Sequence, residues 1–258
     1  MRLDDFDPNA VNVEDQRGSS GGFGLPIGGG AGGVGCGTLL IALAAAYFLG
    51  VDPSMTIGGM EAIQNHTQQS QPQAQNPANA GESCSVDAAS RQMCNTLSSL
   101  NKTWQPLFAQ ANIPFRQPKL VFYSQMGRSG CGAAQSAMGP FYCPEDQGIY
   151  LDTDFFRTMD QQLGARGEFA RAYVIAHEYG HHMQNLLGMS DQVRSAQSQN
   201  PGAANQLSVR LELQADCYAG VWARNAAAVS NGQVALEPGD LEEGMKTAQA
   251  IGDDALQR

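Results

Sequence analysis

No charged residue occurs between Arg17 and Asp52, and this gap divides the chain before any motif is considered. Residues 18–37 hold 11 of the 30 glycines, a composition that resists packing because each glycine gives up the most backbone freedom on ordering. It runs directly into residues 34–51, which are 18 uncharged, mostly apolar residues. As a helix at roughly 1.5 Å per residue they extend about 27 Å, enough to reach across a hydrocarbon core. A cleaved signal peptide is the alternative, since the strongest stretch, residues 39–49, is short and rich in alanine. A long, net acidic lead-in argues instead for an uncleaved anchor, because signal peptides open on a short basic segment. A buried helix of a soluble protein is the third reading.

Beyond the apolar run, residues 64–81 are Gln, Asn, Pro and Ala without Asp, Glu, Lys or Arg, and without apolar periodicity. Such a segment is a linker, and His66 inside it is assigned no role. The expected organisation is therefore an acidic then Gly-rich disordered arm (1–33), a transmembrane anchor (34–51), a Gln/Asn/Pro-rich linker (52–82) and a folded domain (83–258). The net charge of -10 is shared by both halves, so neither offers a nucleic-acid or anionic-lipid surface.

Of the six cysteines, Cys36 belongs to the apolar run. Cys84 and Cys94, and Cys131 and Cys143, are close pairs in polar or Gly-rich stretches, the arrangement of short-loop disulfides in an oxidising compartment. Free thiols in the cytosol are the alternative. Cys217 is left over in a helical pattern, buried or paired outside this chain. The domain reads as α+β, mainly helical with a small sheet. Helices are expected at residues 97–111, 154–163, 168–187 and 206–229, with a last one from about 240, where Asp240 and Glu243 form a capping box. Short strands are expected at 119–123, 141–143 and 148–151.

Three of the four histidines fall in His177-Glu178-Tyr179-Gly180-His181-His182. In a helix, His177 and His181 lie one turn apart on one face, so both imidazoles can reach one metal ion. Glu178 sits beside them as a base that takes a proton from water activated by the metal and passes it to a leaving amine. A hydrolytic zinc site needs a third protein ligand. His182 projects about 100° away around the helix and is a poor one. Glu212 and Asp216 stand at i and i+4 in an otherwise apolar helix; one can bind zinc while the other orients a ligand histidine, and the swapped assignment stays open. Tyr179 and Tyr218 are candidate oxyanion donors, with core packing the default for Tyr218. Residues 139–143 are a candidate edge strand for pairing with an extended peptide, or an ordinary hairpin.

The runs AYVIAHEYGHHMQNLLG and LSVRLELQADCYAGVWA, with CGAAQSAMGPFYCP and GIYLD upstream, resemble the neutral zinc metallopeptidases of bacteria. The Glu-x-x-Ala-Asp element, Glu212 to Asp216, is also similar to the gluzincin arrangement. The resemblance implies a zincin-like domain behind a Gly-rich arm and one membrane helix, zinc on His177, His181 and Glu212, and Glu178 as base and acid. It further implies a C-terminal continuation with a Thr-His-Gly-Ser-like block, whose histidine is a third candidate oxyanion donor, and a late cysteine, which would serve Cys217; this chain stops at Arg258.

The combined reading is a membrane-anchored zinc peptidase whose domain acts on peptides or proteins outside the cytoplasm, in the cell envelope, with the acidic arm on the inner face. A catalytically weak zinc-binding scaffold is the rival, and a hydrolase of non-peptide amides a second. Glu178 argues against the scaffold, because a structural zinc site needs no base.

Overall fold

The computed structural model describes residues 1–18, 79–158 and 167–251. In chain order the elements are β1 (Val13–Asp15), α1 (Ala80–Cys84), α2 (Ala88–Gln110), β2 (Lys119–Tyr123), β3 (Met126–Ser129), β4 (Gly132–Gln135), β5 (Phe141–Cys143), β6 (Gly148–Asp152), α3 (Thr153–Thr158), α4 (Glu168–Leu186), α5 (Met189–Gln199), α6 (Ala204–Val229) and α7 (Asp240–Ile251). The α+β class holds.

Alternation along the central strands decides the layering. Leu120 and Phe122 of β2, with Ile149 and Leu151 of β6, enter one core with the helices. Val121, Tyr123 and Tyr150 point the other way and pack with Ala134 and Cys143, as a period of two requires. The sheet runs β1-β2-β6-β5, with β1, β2 and β6 parallel and β5 antiparallel to β6 in the register Phe141 opposite Tyr150. The hairpin β3–β4 is a separate two-stranded sheet.

On the helical side, Met93, Leu97, Leu100, Trp104 and Phe108 recur every three or four residues along α2 and are all buried. Asp87 caps this helix by accepting from the Ser90 amide at 2.6 Å, so it starts nine residues before the expected position of 97. The apolar periodicity is interrupted there by buried Ser90, Asn95, Thr96 and Ser98, which hide the helix from a hydrophobic pattern. α4 ends as expected, with Gly188 in the left-handed region at φ 72°, and α5 then adds a helix that the polar sequence conceals. The capping box at α7 is not formed. Glu243 instead accepts from the amide of Ala170 at 2.7 Å, so α7 caps the N-terminus of α4. Both expected disulfides are present, Cys84–Cys94 and Cys131–Cys143; Cys217 is exposed rather than buried.

The first 18 residues correct the expectation of a disordered arm. Strand β1 pairs with β2 in the register Val13 opposite Leu120. Glu14 meets Lys119 at 2.6 Å and Asp4 meets Lys102 at 2.6 Å. Arg17 reaches Ser90 Oγ at 2.7 Å and the Ser83 carbonyl at 2.8 Å, with its guanidinium 4.7 Å from the centre of the Phe122 ring. Asp4 and Glu14, which help make this segment look like a solvated tail, are paired with lysines about a hundred residues on, and Val11 between them is buried. Among the described residues no helix is long and apolar enough to cross a membrane. The expected span at 34–51, the Gly-rich part of the arm and most of the linker with His66 lie outside the described residues.

Candidate metal centre

Two helices build the site. α4 carries His177, Glu178 and His181, and α6 carries Glu212 and Asp216. They approach closely because Gly180 faces Ala215 without a side chain between them. The contact lies next to His181 and one residue from Asp216, so it brings the carboxylates of one helix to the imidazoles of the other.

His177 Nε2 lies 3.1 Å and His181 Nε2 3.4 Å from the same Glu212 oxygen. One potential ligand atom from each residue lies within 4.8 Å of the others, which suits a single ion. The far nitrogens settle the tautomers. His177 Nδ1 is 2.8 Å from Asp216 Oδ1, and a carboxylate only accepts, so Nδ1 carries the proton. His181 Nδ1 is 2.9 Å from Gln184 Oε1, while Gln184 Nε2 donates to the Leu211 carbonyl at 2.7 Å. That carbonyl fixes the amide orientation, so His181 Nδ1 is also the donor. With both Nδ1 atoms engaged as donors, the two Nε2 atoms are the nitrogens left to hold a zinc ion; in its absence they face the Glu212 carboxylate, so metal binding would displace a proton from the cluster.

Electrostatics agree with the geometry. Without a cation, burial works against charge on His177, yet hydrogen bonds to Asp216 and Glu212 outweigh it and push its pKa up to about 10. Burial alone would raise the Glu212 carboxyl, but His177 and His181 hold it well below the carboxylate range. The cluster stabilises positive charge at its centre, whether that charge is protons on imidazoles or a metal ion.

Glu178 is buried, and burial raises its carboxyl above the ordinary value while the Tyr142 backbone amide and the two histidines pull the other way. It lines a cleft of about 390 Å³ together with His177, His181, Glu212 and Asp216. His182 is fully buried, accepts from the Tyr142 hydroxyl at 3.0 Å and donates to the Arg116 carbonyl at 2.7 Å. It ties β5 to α4 and stays neutral, with burial lowering its pKa to about 4.

Of the expected oxyanion donors, Tyr179 turns into the core and donates to Asn101 at 2.8 Å. Tyr218 packs edge-on against Trp104 and directs its hydroxyl to the Met189 sulfur. Neither lines the cleft. Sequence reasoning missed Tyr173, which lines it and donates to Asp216. It also missed Gln184 and Tyr142. For Tyr173 and Gln184 a signal existed: they stand four residues before His177 and three after His181, on the same helical face. For Tyr142 none did, since β5 is brought to α4 only by the tertiary fold.

Among known proteins, the family model described as "Putative neutral zinc metallopeptidase" matches residues 5–258. The uncharacterized protein YpfJ of Escherichia coli K12 is 45% identical over 255 residues, covering 96% of this chain and 82% of its own length. The uncharacterized protein Rv2575 of Mycobacterium tuberculosis H37Rv is 45% identical over 170 residues, covering 63% of this chain and 55% of its own. No solved structure matches.

Proposed function

Because the chain belongs to the putative neutral zinc metallopeptidase family, we propose that it hydrolyses peptide bonds, with zinc held by His177, His181 and Glu212. When bound, zinc supplies a Lewis acid that polarises the scissile carbonyl and lowers the pKa of the attacking water. Glu178 takes the proton from that water and delivers it to the leaving amine; burial raises its pKa, the direction that strengthens it as a base. Asp216 holds the His177 ring by Nδ1, and Gln184 holds His181 in the same way. Tyr173 in turn fixes Asp216. With the Tyr142 amide held by Glu178, the backbone groups left on the outer edge of β5 beside the cleft can pair with an extended substrate.

The observation that carries this reading is the pair of Nε2 atoms gathered on one Glu212 oxygen with Glu178 buried alongside. It is tested by metal analysis and casein hydrolysis with the full chain. One zinc per chain and chelator-sensitive cleavage are expected. Glu178→Gln should keep the zinc and lose at least about 100-fold in rate, the usual scale of general base catalysis. A Glu178→Gln protein that loses zinc in proportion to activity overturns the assignment.

The two disulfides support a domain in an oxidising compartment of the cell envelope. Attachment to a membrane through residues 34–51 belongs to the same proposal, with residues 1–18 and the domain on one side of it as long as β1 stays paired with β2.

A further inference from the structure

The elements that line the cleft are unlike. α4 and α6 bring the histidines and carboxylates. The other elements bring an apolar lining: Gly139 and Pro140 before β5, Phe141 in it, Phe155 from α3 and Ala248 from α7. The apolar lining continues out of the cleft. Met138 at its rim is 52% exposed. On α7, Leu241 and Met245 precede Ala248 by seven and three residues, so the three share one helical face, and the two outer ones are 62% and 67% exposed. Exposed methionine and leucine running into a cleft form a surface that adapts to varied apolar side chains.

Charge supplies the second half of the argument. Among the described residues that line the cleft there is no Lys or Arg, so apart from the proposed zinc they offer the terminal carboxylate of a substrate no cation. A terminal ammonium would find no spare anion. Glu212 is engaged by both histidines, Asp216 by His177 and Tyr173, and Glu178 is buried with the Tyr142 amide on its carboxylate. Recognition of a chain end requires a counter-charge placed for it, since desolvating an unpaired terminus is costly. β5, at the end of the sheet order, has its Tyr142 amide taken by Glu178, and the backbone groups left on that edge can be paired by any internal extended segment.

Resting on the peptidase reading above, we infer that the cleft takes an internal, extended stretch of polypeptide with large apolar side chains beside the scissile bond. The enzyme is an endopeptidase for unfolded apolar segments and not a trimmer of chain ends. Aspartate or glutamate next to the scissile bond is disfavoured, because the cleft would set it among the carboxylates of Glu212 and Asp216 and the apolar rings of Phe141 and Phe155.

The test separates binding from cleavage. Zinc-loaded full-length Glu178→Gln is titrated, by fluorescence anisotropy, with short labelled peptides that differ only in a central Phe-Leu or Asp-Asp pair and in blocked or free ends. The blocked apolar peptide should bind at least about tenfold more tightly than the acidic one, the scale of burying one large side chain. Freeing either end should change affinity less than about threefold, while Met138→Asp and Met245→Asp should each weaken the apolar peptide by about tenfold. Equal binding of both peptides, or a tenfold gain from a free end, overturns the inference. Wild-type protein is then given casein, and the cuts are mapped by mass spectrometry. Selective apolar binding without zinc-dependent cleavage refutes the peptidase reading and leaves the cleft preference standing. Zinc-dependent cleavage confined to chain ends, or beside acidic residues, does the reverse.

Discussion

A β-carbon at Gly180 would stand 2.8 Å from both the α-carbon and the carbonyl oxygen of Ala215. The obstacle is backbone, so no side-chain rotation relieves it, and α4 and α6 would have to separate. Gly180→Ala should therefore cost about 1–3 kcal/mol by overpacking and weaken zinc binding by pulling Glu212 away from the histidines. Gly220→Ala is the matched control. Position 220 also lies in a helix interior and is exposed, with nothing within 4 Å of an added β-carbon, so alanine should stabilise by about 0.5–1 kcal/mol. Urea unfolding and a zinc chelator titration of both variants check the pair; equal behaviour would show that the Gly180 contact does not set the site.

The two carboxylates of α6 should separate in metal affinity. Glu212 stands against both Nε2 atoms, whereas Asp216 touches His177 only at the far nitrogen. Glu212→Ala should lose zinc outright. Asp216→Asn should retain it about 10- to 100-fold more weakly, as loss of an orienting carboxylate typically does. Tyr173→Phe, which frees one of the Asp216 contacts, should shift affinity in the same direction and by less. A metal-free Asp216→Asn beside a merely weakened Glu212→Gln would exchange the two roles.

What could be read from the sequence is what local spacing encodes. His177 and His181 at i and i+4, Glu212 and Asp216 at i and i+4, and the short Cys84–Cys94 and Cys131–Cys143 loops all concern one element or one turn. What could not be read depends on which elements meet. Tyr142 reaches His182 across the sheet-to-helix junction, and Glu243 leaves its own helix for Ala170. Strand β1 has three residues, too few to show a period, and its partner lies more than a hundred residues away. Tyr179 illustrates the opposite error: a candidate oxyanion donor by residue type, it follows Glu178 on the helix and so points about 100° away from it, into the core.

His182 should act as a pH-dependent weak point of the metal-free protein. Its pKa is lowered by burial from 6.5 to about 4 in the folded state, so between these values the unfolded chain binds the extra proton. Stability from this group is complete above about pH 6.5 and declines as pH falls toward 4, by an amount on the order of 3 kcal/mol. Urea unfolding between pH 7 and 4 should show this slope, and His182→Asn should flatten it while lowering stability at neutrality. NMR of the imidazole should find it neutral down to about pH 4; titration near 6.5 would remove the basis of the prediction.

The last prediction concerns the two ends of the stretch that lies outside the described residues. Strand β1 is hydrogen-bonded to β2, and Arg17 is bound to Ser83 and Ser90. While these contacts hold, residues 1–18 and the domain from residue 79 onward stand on the same side of any membrane. A single crossing by residues 34–51, with the acidic arm on the inner face, would instead separate them and strip β2 of its parallel partner. The exposed thiol of Cys217 reports the side of the domain, and Asn9→Cys, at an exposed position, reports the side of the arm; Cys36→Ser removes the background. In intact cells both thiols should react with a membrane-impermeant maleimide to the same extent. If Cys217 reacts while the thiol at position 9 is protected until the membrane is opened, then β1 is undocked in the cell and the apolar run crosses once. Lys119→Glu, which opposes Glu14 across the β1–β2 pair, should then leave the labelling unchanged. In the docked arrangement the same variant should lower the unfolding free energy by up to about 1 kcal/mol, because it replaces a partly exposed ion pair with like charges.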